Sequence, residues 1–277
     1  MDIASILGIV VGLGCVILGF TSDGGSVKSL ANIPAFMIVF GGAFGATAIS
    51  YGIEELKKLP SLIKQTFKSP KSNISVTIDY IVMLSENARK EGLLSIEKII
   101  EETSTKAPDP LLKRGIMMVI DGVDLEQIRE LLETEISVYE AQAKTEISIF
   151  EALGGYGPTF GMVGTIMGLV RVLSNMDSPE EMVSSIAVAF IATLYGVASA
   201  NLLFLPMASK LKLRLKQYIL GKEMIIEGVC AIRNGINPKM LRDKLSVYIQ
   251  DEANLKKGKK GSPAVKEEKK SDKKKGR

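Results

Sequence analysis

The sequence predicts an all-α, polytopic membrane protein with four transmembrane helices, the third and fourth long and projecting into a helical cytoplasmic domain. Three observations carry this expectation. Four apolar segments reach the roughly 20 residues that a helix needs to cross a bilayer. Between and beyond them, apolar residues recur at helical spacing. Gly154, Gly157, Gly161, Gly164 and Gly168 follow one another at intervals of three, four, three and four, which places them on one face of a helix. The bulk composition agrees: 46% of the 277 residues are hydrophobic and 24% are charged, the mixture that arises when apolar spans alternate with charged soluble segments.

The first two expected spans, residues 3–20 and 33–51, make up a domain over 1–52. The first opens with Asp2 rather than a basic segment, and Phe20-Thr21-Ser22 makes a poor cleavage site, so it reads as a retained helix rather than a signal peptide. A cytoplasmic helical domain is expected over 53–146. Residues 73–103 carry Ile78, Ile81, Val82, Leu84, Leu94, Ile96, Ile99 and Ile100 at helical spacing. Pro108-Asp109-Pro110 breaks the pattern, and a short helix then runs through Met118. An amphipathic helix starts near Asp124, with Leu125, Ile128, Leu131, Leu132, Ile136 and Val138 on its apolar side, and nothing prevents it from continuing into the third span. Spans three and four, residues 147–173 and 182–207, form the next domain over 147–207. A cytoplasmic helical extension follows over 208–252. The last stretch, 253–277, is a lysine-rich tail without aromatic residues. It reads as a disordered segment beside anionic membrane lipid rather than as a nucleic-acid arm.

Orientation follows from the flanking basic residues. Lys28 is the only Lys or Arg between the first two spans, and Arg171 the only one around the turn between the last two. Lys57, Lys58, Lys64 and Lys68 follow the second span, and Lys210, Lys212, Arg214 and Lys216 follow the fourth. Both termini are therefore expected in the cytoplasm of a bacterial inner-membrane protein.

Glycine costs about 1 kcal/mol per helix position relative to alanine, so five on one stripe need a reason. In a bilayer the reason is close backbone approach, because small residues let a second helix pack where no hydrophobic effect separates helix from lipid. Ser185, Ala189, Thr193, Gly196 and Ala200 form a second small stripe, which suggests an assembly packed closely around something. Enzyme chemistry finds no footing. The chain has no histidine, and its two cysteines, Cys15 and Cys230, form no motif. Gly154-Gly155-Tyr156-Gly157 lacks the Lys-Ser or Lys-Thr of a phosphate-binding loop. No catalytic residue, cofactor or metal site is expected.

Tyr156 to Leu169 (YGPTFGMVGTIMGL) closely resembles the third-span signature of the MotA branch of the MotA/TolQ/ExbB family of ion-driven motors. Thr193-Leu194-Tyr195-Gly196 with residues 201–206 looks like the family's fourth span, and residues 89–97 (RKEGLLSIE) look like its cytoplasmic motif. The resemblance implies a ring of subunits, five in number, around single-span MotB-like helices whose aspartate takes up the driving ion. It implies torque on the rotor protein FliG. It gives Thr193, Thr165, Pro158 and Pro206 roles along the ion path. Gly157, Gly161, Gly164, Gly168 and Gly196 take partner-helix packing, and Arg89 and Glu97 take rotor contact. Thr193 has another reading, a hydroxyl bonded to its own helix, and each proline another, a static kink. Two other functions stay open on the sequence: a TolQ/ExbB-like energiser of envelope transport and a non-conducting scaffold. Residues 89–97 argue against the first.

Overall fold

This computed structural model describes residues 3–68, 74–102 and 109–256. Among the described residues every regular element is helical. In chain order they are α1 (Ile3–Ser22), α2 (Val27–Leu30), α3 (Ile33–Phe36), a π-helical stretch (Met37–Gly41), α4 (Gly42–Leu56), α5 (Leu59–Phe67), α6 (Ile74–Glu91) and α7 (Leu94–Glu102). Then come α8 (Pro110–Ile120), α9 (Leu125–Ser174), α10 (Pro179–Ser199), a second π-helical stretch (Ala200–Phe204), α11 (Leu205–Arg233) and α12 (Pro238–Lys256). Pro108 of the expected break, and the basic tail from residue 257 onward, lie outside the described residues. The chain divides into two compact units, Met1–Pro70 with Gln142–Lys212, and Lys71–Ala141 with Leu213–Arg277.

The expected count of four membrane spans is corrected to two. Two helices among the described residues are long and apolar enough to cross a bilayer, Ile33–Leu56 and Pro179–Arg233. Ile6–Ser22 is apolar but shorter. The expected third span lies in the 50-residue helix α9, which does not reach the apolarity of a crossing. The reason is the glycine stripe together with Gly155 beside it. Gly154, Gly155, Gly157, Gly161, Gly164 and Gly168 replace aliphatic side chains, and Glu151 and Arg171 bound the stretch with charge.

In the first unit, Asn32 starts α3 by accepting the Ala35 backbone N–H at 3.0 Å on Oδ1. Pro179 at the first turn of α10, with Glu180 and Glu181, starts that helix and complements its dipole. Ala35 and Val39 pack against Ile191 and Ala192 of α10 in a buried cluster, with Phe40, Val188 and Tyr195 at its margin.

The second unit holds a conventional hydrophobic core. Ile81 and Leu84 of α6, Ile96 of α7, Ile116 and Val119 of α8, Ile128 and Leu132 of α9, Val229 of α11 and Leu241 of α12 are all fully buried within it. The expected apolar sides are corrected at three positions. Leu94, Leu131 and Val138 are 72%, 57% and 64% exposed. Leu94 opens α7 before its buried face begins, and Leu131 and Val138 sit two turns apart on a side of α9 turned from the Ile128–Leu132–Ile136 stripe. Asp109 caps α8, accepting the Leu111 backbone N–H at 2.9 Å, and also takes the largely buried Lys222 ammonium at 2.6 Å. Gly122 (φ 77°) ends α8 in the left-handed region, where Val123 N–H reaches back to the Met118 carbonyl at 3.0 Å.

Candidate functional site

The two small-residue stripes face each other. A Cβ added at Gly157 would lie 3.1 Å from the Gly196 carbonyl oxygen, and one at Gly161 would lie 3.1 Å from both Ala192 O and Thr193 Cα. One at Gly168 would meet Ala189 Cβ at 2.6 Å and Ser185 O at 2.8 Å. At Gly164 the obstacle is Ala192 Cβ, and at Gly196 it is the Gly157 carbonyl. Gly157, Gly161, Gly164, Gly168 and Gly196 are all buried. Their close approach is therefore made to a helix of the same chain: α9 and α10 run backbone against backbone along about three turns. Gly155, off the stripe, has nothing within 4 Å of where its Cβ would be.

This contact brings Thr165 and Thr193 together. Their half-buried hydroxyls hydrogen-bond one another. Thr165 Oγ1 also lies 3.1 Å from the Gly161 carbonyl and 3.3 Å from that of Ala189, and Thr193 Oγ1 lies 3.4 Å from each. Each hydroxyl owns one proton, so two protons serve five contacts. The donors can reorient without moving a heavy atom, and the cluster concentrates four oxygens between two helices lined by small residues. Thr193 thus bonds both within its helix and across the seam.

The two prolines lie elsewhere on the same pair of helices. Pro158 sits inside α9, where the ring removes the N–H that would bond the Gly154 carbonyl. Its Cα is 3.1 Å from where a Cβ on Gly196 would stand. Pro206 is exposed and stands one residue beyond the π-helical stretch Ala200–Phe204, whose wider turn accommodates the missing N–H. Arg89 is exposed near the end of α6 and Glu97 half-buried in the first turn of α7; neither makes an ion pair among the described residues. At the edge of the first unit, Glu151 pairs with Lys212. Lys58 donates to Glu55 at 2.9 and 3.0 Å, which holds its ammonium above the usual lysine value.

Sequence reasoning missed Tyr195. Its phenol donates to the Leu30 carbonyl and accepts from the Asn32 backbone N–H at 3.3 Å, tying the α2–α3 turn to α10. The available signal was an aromatic with a polar tip set inside a small-residue stripe.

Comparison with known proteins places this geometry. A sequence model of the MotA/TolQ/ExbB proton channel family matches residues 103–224, and one of the motility protein A N-terminal region matches residues 6–92. Motility protein A of Bacillus subtilis (strain 168) is 36% identical over 260 residues, covering 92% of this chain and 94% of that protein. The chain belongs to the MotA/TolQ/ExbB proton channel family. The YtxD protein of the same organism is 35% identical over 249 residues, 89% of this chain and 90% of that one. The solved flagellar MotAB stator complex from Bacillus subtilis contains a chain of the same fold, with a TM-score of 0.81, 34% identity and coverage of 91% and 97%. The MotA/TolQ/ExbB match spans the glycine seam and both threonines. Arg89 falls within the N-terminal match and Glu97 between the two.

Proposed function

We propose that this chain works as a stator subunit of the bacterial flagellar motor, coupling ion flow to torque, as a multi-pass protein of the inner membrane. The observation that carries this reading is likeness to a flagellar MotAB stator over nine-tenths of the chain, in both sequence and fold. The protein is not an enzyme; family members are ion-conducting and structural subunits. It assembles with a MotB-like partner, as in the MotAB complex.

The finer features are our own reading. The partner contributes a single span with the ion-binding aspartate, since Glu151 here is tied to Lys212 and an intramembrane acid is costly unless it is used. Thr193 and Thr165 pass the ion along their shared oxygens, and Pro158 and Pro206 let the helices flex beside them. The seam of Gly157, Gly161, Gly164, Gly168 and Gly196 fixes the α9–α10 pair that the partner helix packs against. Five copies form the ring, and the exposed Leu131 and Val138 on α9 supply apolar surface for contact between copies. Arg89 and Glu97 engage the rotor protein FliG, and both termini face the cytoplasm beside Lys57, Lys64, Lys210 and Lys216.

The reading is tested by expressing the chain with its partner in a motile host lacking stators. Swimming that depends on both subunits and on the ion gradient is expected. Paralysed cells containing an assembled, membrane-inserted complex would overturn it.

A further inference from the structure

Two contacts hold α10 at the height of Thr193, and they do so differently. On one side lies the seam, where Gly161 and Gly164 bring α9 against Ala192 and Thr193 and fix the distance between the helices. A surface of glycine and alanine offers few ridges for the opposite helix to catch, so it resists sliding along the axis only weakly. On the other side lies Tyr195. It stands two residues from Thr193, about 3 Å along the axis and about 160° around it, so its ring points away from the seam and toward the α2–α3 turn.

There the contact is directional. The half-buried phenol donates to the Leu30 carbonyl and accepts the Asn32 N–H at 3.3 Å. Asn32 in turn takes the Ala35 N–H at 3.0 Å, and Ala35 and Val39 are buried against Ile191 and Ala192. The Tyr195 ring lies 6.4 Å from that of Phe40, which packs on Phe36 at 4.6 Å between centroids. Two backbone groups thus set the axial position of a helix whose distance from α9 is set by the seam.

The hydroxyl pair is sensitive to that position. Across the seam, Thr193 Oγ1 lies 3.4 Å from the Gly161 carbonyl and Thr165 Oγ1 lies 3.3 Å from that of Ala189. Both exceed the usual range of about 2.5–3.0 Å for a hydroxyl donor, so a few tenths of an ångström along the axis make or break them. We propose that Tyr195 is a positioning residue for the Thr165–Thr193 pair: through Leu30 and Asn32 it fixes the height of α10, and so sets how tightly the pair's oxygens take up the driving cation. The inference rests on the ion-path reading of the two threonines and adds a residue that touches neither hydroxyl.

The test uses the intact complex with its partner in a motile host lacking stators, with swimming speed read against external sodium at fixed pH and against external pH at fixed sodium. Tyr195→Phe keeps the ring and its packing on Phe40 and loses both polar contacts. The ion concentration for half-maximal speed is expected to rise about threefold to tenfold, the scale of a neutral hydrogen bond, with maximal speed and yield of complex near wild type. Phe40→Leu loosens the same packing and touches no hydrogen bond, so its half-maximal concentration should stay at the wild-type value. In a Thr193→Val background, Tyr195→Phe should shift it no further, since the group it positions is gone. An unshifted Tyr195→Phe, an equal shift in Phe40→Leu, or a full additional shift in the double variant would each overturn the positioning role. Should Tyr195→Phe fail to assemble, Asn32→Ala, which frees the turn that the phenol holds, is read against the same outcomes. Wild-type ion dependence in Thr193→Val would overturn the ion-path reading itself, whereas a shifted Thr193→Val beside an unshifted Tyr195→Phe would remove the role of Tyr195 alone.

Discussion

Thr165 on α9 and Thr193 on α10 share one hydrogen bond and the same two backbone carbonyls, those of Gly161 and Ala189. Two helices lined by small residues and packed at close backbone approach leave room for little besides a pair of small hydroxyls. The pair is therefore a product of the seam, and its chemistry depends on the seam's spacing.

Thr193→Val keeps the shape and removes one hydroxyl. Thr165 retains a carbonyl partner on either helix, so the cost to folding should be about 1 kcal/mol and the complex should assemble. Swimming speed and ion flux through the complex should both fall. Wild-type speed at wild-type expression would remove this hydroxyl from the ion path.

Gly161→Leu and Gly155→Ala separate packing from glycine content. At Gly161 the added side chain meets Ala192 O and Thr193 Cα at once, and backbone cannot retreat as a side chain can. Overpacking of this kind costs about 1–3 kcal/mol or more, so yield and co-purification with the partner should drop. Gly155→Ala enters open space and should be neutral or stabilising by up to about 1 kcal/mol. Equal yields of the two variants would contradict the seam.

Lys222 and Asp109 form a pair with side chains only 11% and 21% exposed. Removing one member strands the other, at a cost of about 3–5 kcal/mol. Lys222→Met should lower the thermal unfolding midpoint sharply. Asp109→Asn in the same chain keeps an N-cap oxygen and removes the stranded charge, so the double variant should recover most of the loss. Strictly additive losses would show that the two are uncoupled.

Arg89→Glu and Glu97→Lys change charges of the second unit that lack ion-pair partners among the described residues. Both variants should assemble and conduct ions normally while stall torque falls. A reversed charge on the rotor should restore part of it, because contacts screened over about 8 Å at physiological salt act only at close range. Full torque in both single variants would place rotor contact elsewhere.

Tyr195→Phe removes the phenol that holds the α2–α3 turn through Leu30 and Asn32. Two backbone groups lose their partner, at about 1–3 kcal/mol. Amide exchange should quicken at Asn32 and stay unchanged in α8. Unaltered exchange at Asn32 would show that the turn holds itself.

The seam was legible because glycine and small residues keep helical register over several turns, and register survives translation from sequence to surface. The continuity of α9 was legible for the related reason that no breaker stands between Asp124 and Ile147. Register does not say what lies opposite, however; the structure shows that the two small faces pack on each other. The span count failed because glycine, which enables close packing, also lowers apolarity. Tyr195 with Leu30, and Lys222 with Asp109, are pairs more than a hundred residues apart, and no local pattern encodes them. Leu131 and Val138 satisfied the helical period and lay on the wrong side of it by part of a turn.

The π-helical stretch Ala200–Phe204 inserts an extra residue into one turn of a rod that otherwise advances about 100° per residue. It acts as a phase shifter. The stripe that ends at Ala200 is not continued by 3.6-residue counting, because everything from Leu205 onward is rotated about the axis by roughly one residue step. Tightening the stretch to α pitch at unchanged length would swing Met207 and Lys210 around the helix relative to Thr193, with every side chain intact and every neighbour changed, whereas deleting one residue as the pitch tightens would leave both facing nearly as they do. The pitch of this one turn is thus as much a determinant of where residues point as their identity.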